Sequence, residues 1–288
     1  MLRDRYLEMV RTLLLNEAYL ESEAQLLFSV LCAAQGMVMD LNDFQAVRKD
    51  TGFLNDLRAA RATGDSVILE LDSGKDRSRV DGSLRNHTEF AYTLVGRKRL
   101  EHLQSCMKSV FDDGIDGDFL EAGVWRGGCS IFMRAGLAAW NDTDRTVWAC
   151  DSFAGMPDST HPADTPFAMD ASRLPFLSVS IDEVRDAFKR FSLLDEQVRF
   201  VKGWFSTSLK KVSSEKLAIL RIDADLYEST MDVLHALYDK VSSGGWVIID
   251  DYSILPPCRA AVDEFRAAHG IDSPIETIDA HAVCWRRS

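Results

Sequence analysis

Two stretches, "LAILRIDADLYEST" (residues 217–230) and "GGWVIIDDY" (residues 244–252), decide how this chain reads. Each carries an apolar run of strand length, the mark of a strand covered on both faces. Between and into them runs "ESTMDVLHALYDKV", with apolar residues at helical spacing. Strand, helix and strand at this distance form the repeating unit of a parallel sheet. Both runs end on acids: Asp223 with Asp225 after the first, Asp250 with Asp251 after the second. Carboxylates grouped at the mouth of buried strands repel one another and lose hydration, so the grouping calls for a counter-charge.

Outward from that unit the same rhythm holds from about residue 116. "DFLEAG", "TVWACD" and "VRFVKG" read as further strands, and "GCSIFMRAGLAAW", "SIDEVRDAFKRF" and "FSTSLKKV" as the helices between them. After the helix "CRAAVDEFRAAHGI", two close strands, "IETIDA" and "HAVCWRR", predict an antiparallel hairpin at one sheet edge. The fold class is therefore α/β, a doubly wound, mostly parallel sheet. Ahead of it, residues 1–86 read as a helical extension to a main domain over 87–288, with a polar breaker, "DSGKDRSRVDGS", at 72–83. A helix is expected from about 89 to 111. One loop breaks the alternation: some thirty residues after Asp151 hold four of the seven prolines, and a segment this long is expected to cover a bound substrate.

Composition narrows the classes. The chain has 288 residues, is 46 % hydrophobic and carries a formal charge of −12. That balance argues against nucleic acid or anionic membrane as a partner. The densest basic run, "GRKRL" at 96–100, reads as a solvated helix face. Six scattered cysteines, with no zinc spacing among them, read as reduced thiols of a cytoplasmic protein. The first residues, "MLRDRYLEMVRTLLL", read as an amphipathic helix without signal-peptide form, and the longest apolar stretch is too short to span a bilayer.

In an open α/β sheet, ligands bind beyond the carboxyl ends of the strands. The first strand ends in "LEAGVWRGGCS", which is neither the G-x-G-x-x-G dinucleotide fingerprint nor a Walker loop. Glu121 at that turn would oppose a pyrophosphate and suits a ligand cationic there. Asp151, ending the second strand, is placed to accept from ribose hydroxyls. An adenosyl group with an ammonium or sulfonium tail, as in S-adenosylmethionine, fits this pair better than NAD or ATP. Asp223, Asp250 and Asp251 would raise one another's pKa unless a hard divalent ion such as Mg²⁺ neutralised them. Asp225 is a fourth carboxylate, free to act as a base. Helix capping explains one or two of these acids but not four.

Together "FLEAGVWRGGCSIFMR", "ACDSFAGMP", "RIDADLYESTMDVLHALYDKVSSGGWVIIDDY" and "AAVDEFRAAHGI" resemble the macrocin O-methyltransferase family, over about residues 87–286. The resemblance implies a class I methyltransferase (Rossmann-like) fold with strand order 3-2-1-4-5-7-6. It implies a cofactor pair, S-adenosylmethionine and Mg²⁺, a glycoside acceptor and a dimer. By residue, it implies Asp223, Asp250 and Asp251 as metal ligands and Asp225 as general base. Glu121 and Gly123 would lie beside the methionine portion, Asp151 and Ser152 at the ribose, Gly203 and Trp204 at the adenine, and Thr93 near the cofactor. Other readings are a catechol-type methyltransferase, a non-catalytic S-adenosylmethionine-binding protein and a Mg²⁺-binding receiver domain. The last fails because the single Asp precedes the pair and no Lys follows at a later strand end. The sensor has no need of Asp223, Asp250 and Asp251.

Overall fold

The structure is a computed structural model that describes residues 2–34, 36–63, 70–71, 78–79, 90–167 and 169–288. The chain divides into two compact units, Glu8–Lys98 and Met1–Leu7 with Arg99–Ser288. The boundary expected at residue 87 and most of the 72–83 breaker lie outside the described residues.

The larger unit is built on seven strands: β1 (Asp118–Ala122), β2 (Val147–Asp151), β3 (Val198–Lys202), β4 (Leu217–Ile222), β5 (Val241–Ile249), β6 (Glu276–Thr277) and β7 (Val283–Arg286). Their order is 3-2-1-4-5-7-6, as expected. Strands β1 to β5 pair in parallel, and β7 joins β5 and β6 antiparallel. β4 is buried at all six positions, which explains its unbroken apolar run, and only Arg221 interrupts it. A continuous core packs Leu220, Ile222, Val247 and Ile249 with Val233, Phe265 and Trp285. Each such side chain, fully buried, contributes about 1.5–3 kcal/mol.

The helices of this unit fall where the sequence put them. They are α6 (Gly128–Trp140), α7 (Ile181–Arg190), α8 (Phe205–Ser208), α9 (Tyr227–Leu237) and α10 (Pro256–Ala268). α7 starts with a capping box, Ser180 and Glu183 each bonding the other's backbone N–H. α5 (Arg97–Asp112) starts later than the expected residue 89. Thr93 Oγ1 accepts from Val95 N at 3.2 Å, and that local turn competes with helix just upstream.

In the smaller unit, α2 (Leu20–Ala34), α3 (Leu41–Val47) and α4 (Thr51–Thr63) follow α1 (Leu2–Leu14), which the division cuts. Leu20, Ala24, Leu27, Leu54 and Leu57 form a small core. Inside it, Arg61 Nη2 bonds both oxygens of buried Glu23 at 2.7 and 2.8 Å. Residues Glu70–Leu71 and Ser78–Arg79 pair antiparallel. No helix among the described residues is long and apolar enough to cross a membrane. All six cysteines are buried free thiols.

Candidate active site

The carboxyl ends of β1, β2 and β4 meet with almost no clearance. Gly123 has φ 89°, and a Cβ there would stand 1.7 Å from the Asp223 carbonyl oxygen, so only glycine fits. The turn after β1 wraps the Asp151 carboxylate: Oδ2 accepts from Val124 N and Oδ1 from Phe153 N, both at 2.7 Å. Burial pushes the Asp151 pKa up, against the pull of these backbone donors. Beyond β3, Gly203 N donates to Asp151 O at 2.9 Å, and Trp204 is left 46 % exposed.

These ends open into a cavity of about 690 Å³. Gly123, Asp151, Ser152, Gly203, Trp204 and Asp223 all line it, so six residues proposed from sequence share one wall. The segment Gly155–Ser159 and the first turns of α9 complete it. Asp158, Glu228 and Asp232 add further acids, and no Lys, Arg or His lines it among the described residues. Thr93 belongs to the smaller unit, buried, with its hydroxyl on Val95.

The acids at the strand ends separate into two sets. Carboxylate oxygens of Asp223, Asp225 and Asp251 lie within 4.8 Å of one another. Asp225 adopts φ 55°, an uncommon conformation for a residue with a side chain. Asp251 is 9 % exposed, and its Oδ2 has no hydrogen-bond partner. Burial first, then the neighbouring acids, pushes Asp225 up to about 8 and Asp251 well above the carboxylate range. A divalent cation fits this trio, because it would pair the orphaned oxygen and relieve the mutual repulsion.

Asp250, expected in the metal set, is drawn elsewhere. Its Oδ1 accepts from Arg221 and its Oδ2 from Arg99. Burial would raise its pKa, but the two guanidiniums outweigh burial and hold it low. Glu121 is 2 % exposed, with Oε1 on Arg221 Nη1 at 2.8 Å and Oε2 on Ser130 Oγ. Burial pushes its pKa up to about 7, with Arg221 opposing.

Three residues here were missed in the sequence. Arg221 was the one charge inside an apolar strand, a visible signal. Arg99 sits in "GRKRL", which proves not to be a solvated face: Arg99 is 8 % exposed and ion-pairs with Asp250 and Asp279. Asp164 belongs to the long loop. It accepts from Tyr227 N at 2.6 Å and Glu228 N at 3.3 Å, and so caps α9, whose own N-cap is Leu226. His161 stacks on Tyr227 with ring centroids 4.1 Å apart.

The model of one protein family, macrocin-O-methyltransferase (TylF), matches residues 3–287. The chain belongs to that family. It is an S-adenosylmethionine-dependent O-methyltransferase. The match takes in residues 3–86, beyond the likeness legible from 87 onward. The chain is 47 % identical over 207 residues to the 8-demethyl-8-(2,3-dimethoxy-alpha-L-rhamnosyl)-tetracenomycin-C 4'-O-methyltransferase of Streptomyces olivaceus, covering 71 % of this chain and 78 % of that one. It is 46 % identical over 215 residues to the demethyldecarbamoylnovobiocin O-methyltransferase of Streptomyces niveus, covering 74 % and 82 %. It is 48 % identical over 210 residues to the mycinamicin III 3''-O-methyltransferase of Micromonospora griseorubida, covering 70 % and 81 %. Among solved structures, that of the O-methyltransferase NovP aligns over 99 % of both chains, with TM-score 0.76 and 35 % identity. The chain thus shares its fold with that O-methyltransferase.

Proposed function

We propose that this enzyme moves the methyl group of S-adenosylmethionine to a sugar hydroxyl of a glycosylated natural product, with Mg²⁺ held by Asp223 and Asp251 beside Asp225. The observation that carries the reading is the convergence of Asp223, Asp225 and Asp251 beside a cavity without a basic lining residue. The relatives' names supply the acceptor class: one of them acts on a rhamnosyl-bearing tetracenomycin. An acidic wall also disfavours a nucleotide-activated sugar, whose diphosphate would meet Asp158, Glu228 and Asp232 with no basic side chain among the described lining residues.

The chain's residues divide the work. Gly123, Asp151, Ser152, Gly203 and Trp204 would hold the donor. Asp223 and Asp251 would hold the ion. Bound there, Mg²⁺ would supply positive charge that eases loss of the acceptor hydroxyl's proton. Asp225 would take the hydroxyl proton as the methyl leaves sulfur, S-adenosylhomocysteine being the leaving group. The 152–180 loop, fixed on α9 through Asp164, keeps water from the donor.

Methyl transfer from labelled donor tests this against a panel of deoxysugar glycosides, the matching nucleotide sugars and phenolic diols. Glycosides should react, EDTA should stop the reaction and Mg²⁺ should restore it. Full activity in EDTA would sink the metal role, and preferred turnover of phenolic diols or nucleotide sugars would sink the acceptor class.

A further inference from the structure

Glu121, Arg221 and Ile248 stand side by side on β1, β4 and β5. Asp223 and Asp250 follow two residues later, just past the strand ends, and Arg221 bonds both. Arg221 is 3 % exposed and reaches three carboxylates at once: Glu121 and Asp223 through Nη1 at 2.8 and 2.9 Å, and Asp250 through Nη2. Glu121 is held from behind by Ser130 of α6, and Asp250 from the other side by Arg99 of α5. Arg99 is in turn 3.0 Å from Asp279, in the turn between β6 and β7. The result is a buried row of alternating charge, Glu121–Arg221–Asp250–Arg99–Asp279, capped at one end by the Ser130 hydroxyl and joined to the acidic trio through Asp223.

We propose that Arg221 and Glu121 are positioning residues for the acidic trio, and that Glu121 acts through Arg221 rather than by touching the donor. Three observations carry this. Both carboxylate oxygens of Glu121 already have partners inside the protein. Glu121 is absent from the cavity lining, whereas Gly123, two residues on, is part of it. Arg221 is bonded to one oxygen of Asp223, the member of the trio that lines the cavity. A planar fork can hold two carboxylates in fixed directions at once; a lysine ammonium cannot. The row thus fixes Asp223 while drawing Asp250 away from the trio.

The inference rests on the proposed ion site, and the experiment separates the two. Mn²⁺ affinity, followed by electron paramagnetic resonance without acceptor, is measured for wild type, Arg221→Lys and Glu121→Gln. S-adenosylhomocysteine affinity, kcat and KM for both substrates are measured alongside. Arg221→Lys should bind Mn²⁺ at least tenfold more weakly and lose kcat in step. Its S-adenosylhomocysteine affinity should stay within threefold, which also reports a folded protein. Glu121→Gln should move in the same direction, again with donor-product affinity kept. Wild-type Mn²⁺ affinity and kcat in Arg221→Lys would overturn the proposal. So would a Glu121→Gln variant that loses S-adenosylhomocysteine binding tenfold while Mn²⁺ binding stays put. If wild type itself binds no Mn²⁺, the ion reading falls and kcat decides. A tenfold loss in Arg221→Lys at unchanged KM upholds the positioning role, and an unchanged kcat overturns it.

Discussion

Asp164 ties the long loop to the catalytic end of the sheet, and removing it should have a graded cost. The side chain is 2 % exposed and accepts from Tyr227 N, Glu228 N and Ser159 Oγ at 2.6, 3.3 and 2.8 Å. Loss of a capping side chain costs about 1 kcal/mol, and up to about 2. Loss of a charge at a helix N-terminus adds about 0.3–1 kcal/mol. No side chain of Leu226 takes over the cap. Asp164→Ala should therefore cost about 1.3–3 kcal/mol, a fall in Tm of roughly 3–12 °C for a domain of this size. Asp164→Asn keeps an acceptor oxygen and loses only the charge, so its cost should be about 0.3–1 kcal/mol. Urea unfolding followed by circular dichroism measures both. KM for the donor should rise with the Ala variant, because Pro157, Asp158 and Ser159 on the same loop line the cavity. The reasoning is refuted if Ala costs less than Asn, or if Ala matches wild type.

Other outcomes follow from single features. Gly123→Ala must push β1 and β4 apart to clear the Asp223 carbonyl, so about 1–3 kcal/mol of overpacking adds to the strain of positive φ; a wild-type Tm would contradict the close approach. Asp225→Asn should lower kcat by about 10²–10⁴-fold with Mn²⁺ affinity within threefold, and an equal loss of Mn²⁺ binding would make Asp225 an ion ligand instead. Arg134 holds the Asp195 carboxyl below its ordinary range, its hydrogen bond outweighing the modest burial. A depressed carboxylate stabilises above its unfolded pKa of roughly 3.9 and loses that effect as pH falls through its folded value. Arg134→Met should accordingly cost more stability at pH 7 than near pH 3, and equal losses at both would count against the pair.

Much of the sheet could be read from the chain because each strand announces itself locally. The apolar runs of β4 and β5, the helix between them and the closing hairpin mark the strands and their sense; the order itself was what the family resemblance implied. The acids at strand ends were legible for the same reason: topology alone brings Asp223 and Asp251 together. What sequence could not carry was partnership across distance. Arg99 looked like one more exposed cation, because its partner Asp250 lies 151 positions away. Asp250 looked equivalent to Asp251 until two guanidiniums distinguished them. Asp164 sat in a loop whose composition gave no hint that it serves a helix more than sixty residues downstream. Glu121 carried a motif's expectation, and its surroundings reveal a carboxylate fully engaged within the protein.

The position of β7 has a consequence for how the chain is made. β7 pairs with β5, setting Ile249 against Val283, so the strand that carries Asp250 is sealed by residues synthesised more than thirty positions later. Until Arg286 leaves the ribosome, β5 presents an open, apolar edge, the kind that recruits strands from other chains. Asp279, the far end of the charge row, emerges just as late. The catalytic end therefore closes only once β7 has been made, and a chain stalled short of β7 would keep that edge of β5 open to other strands.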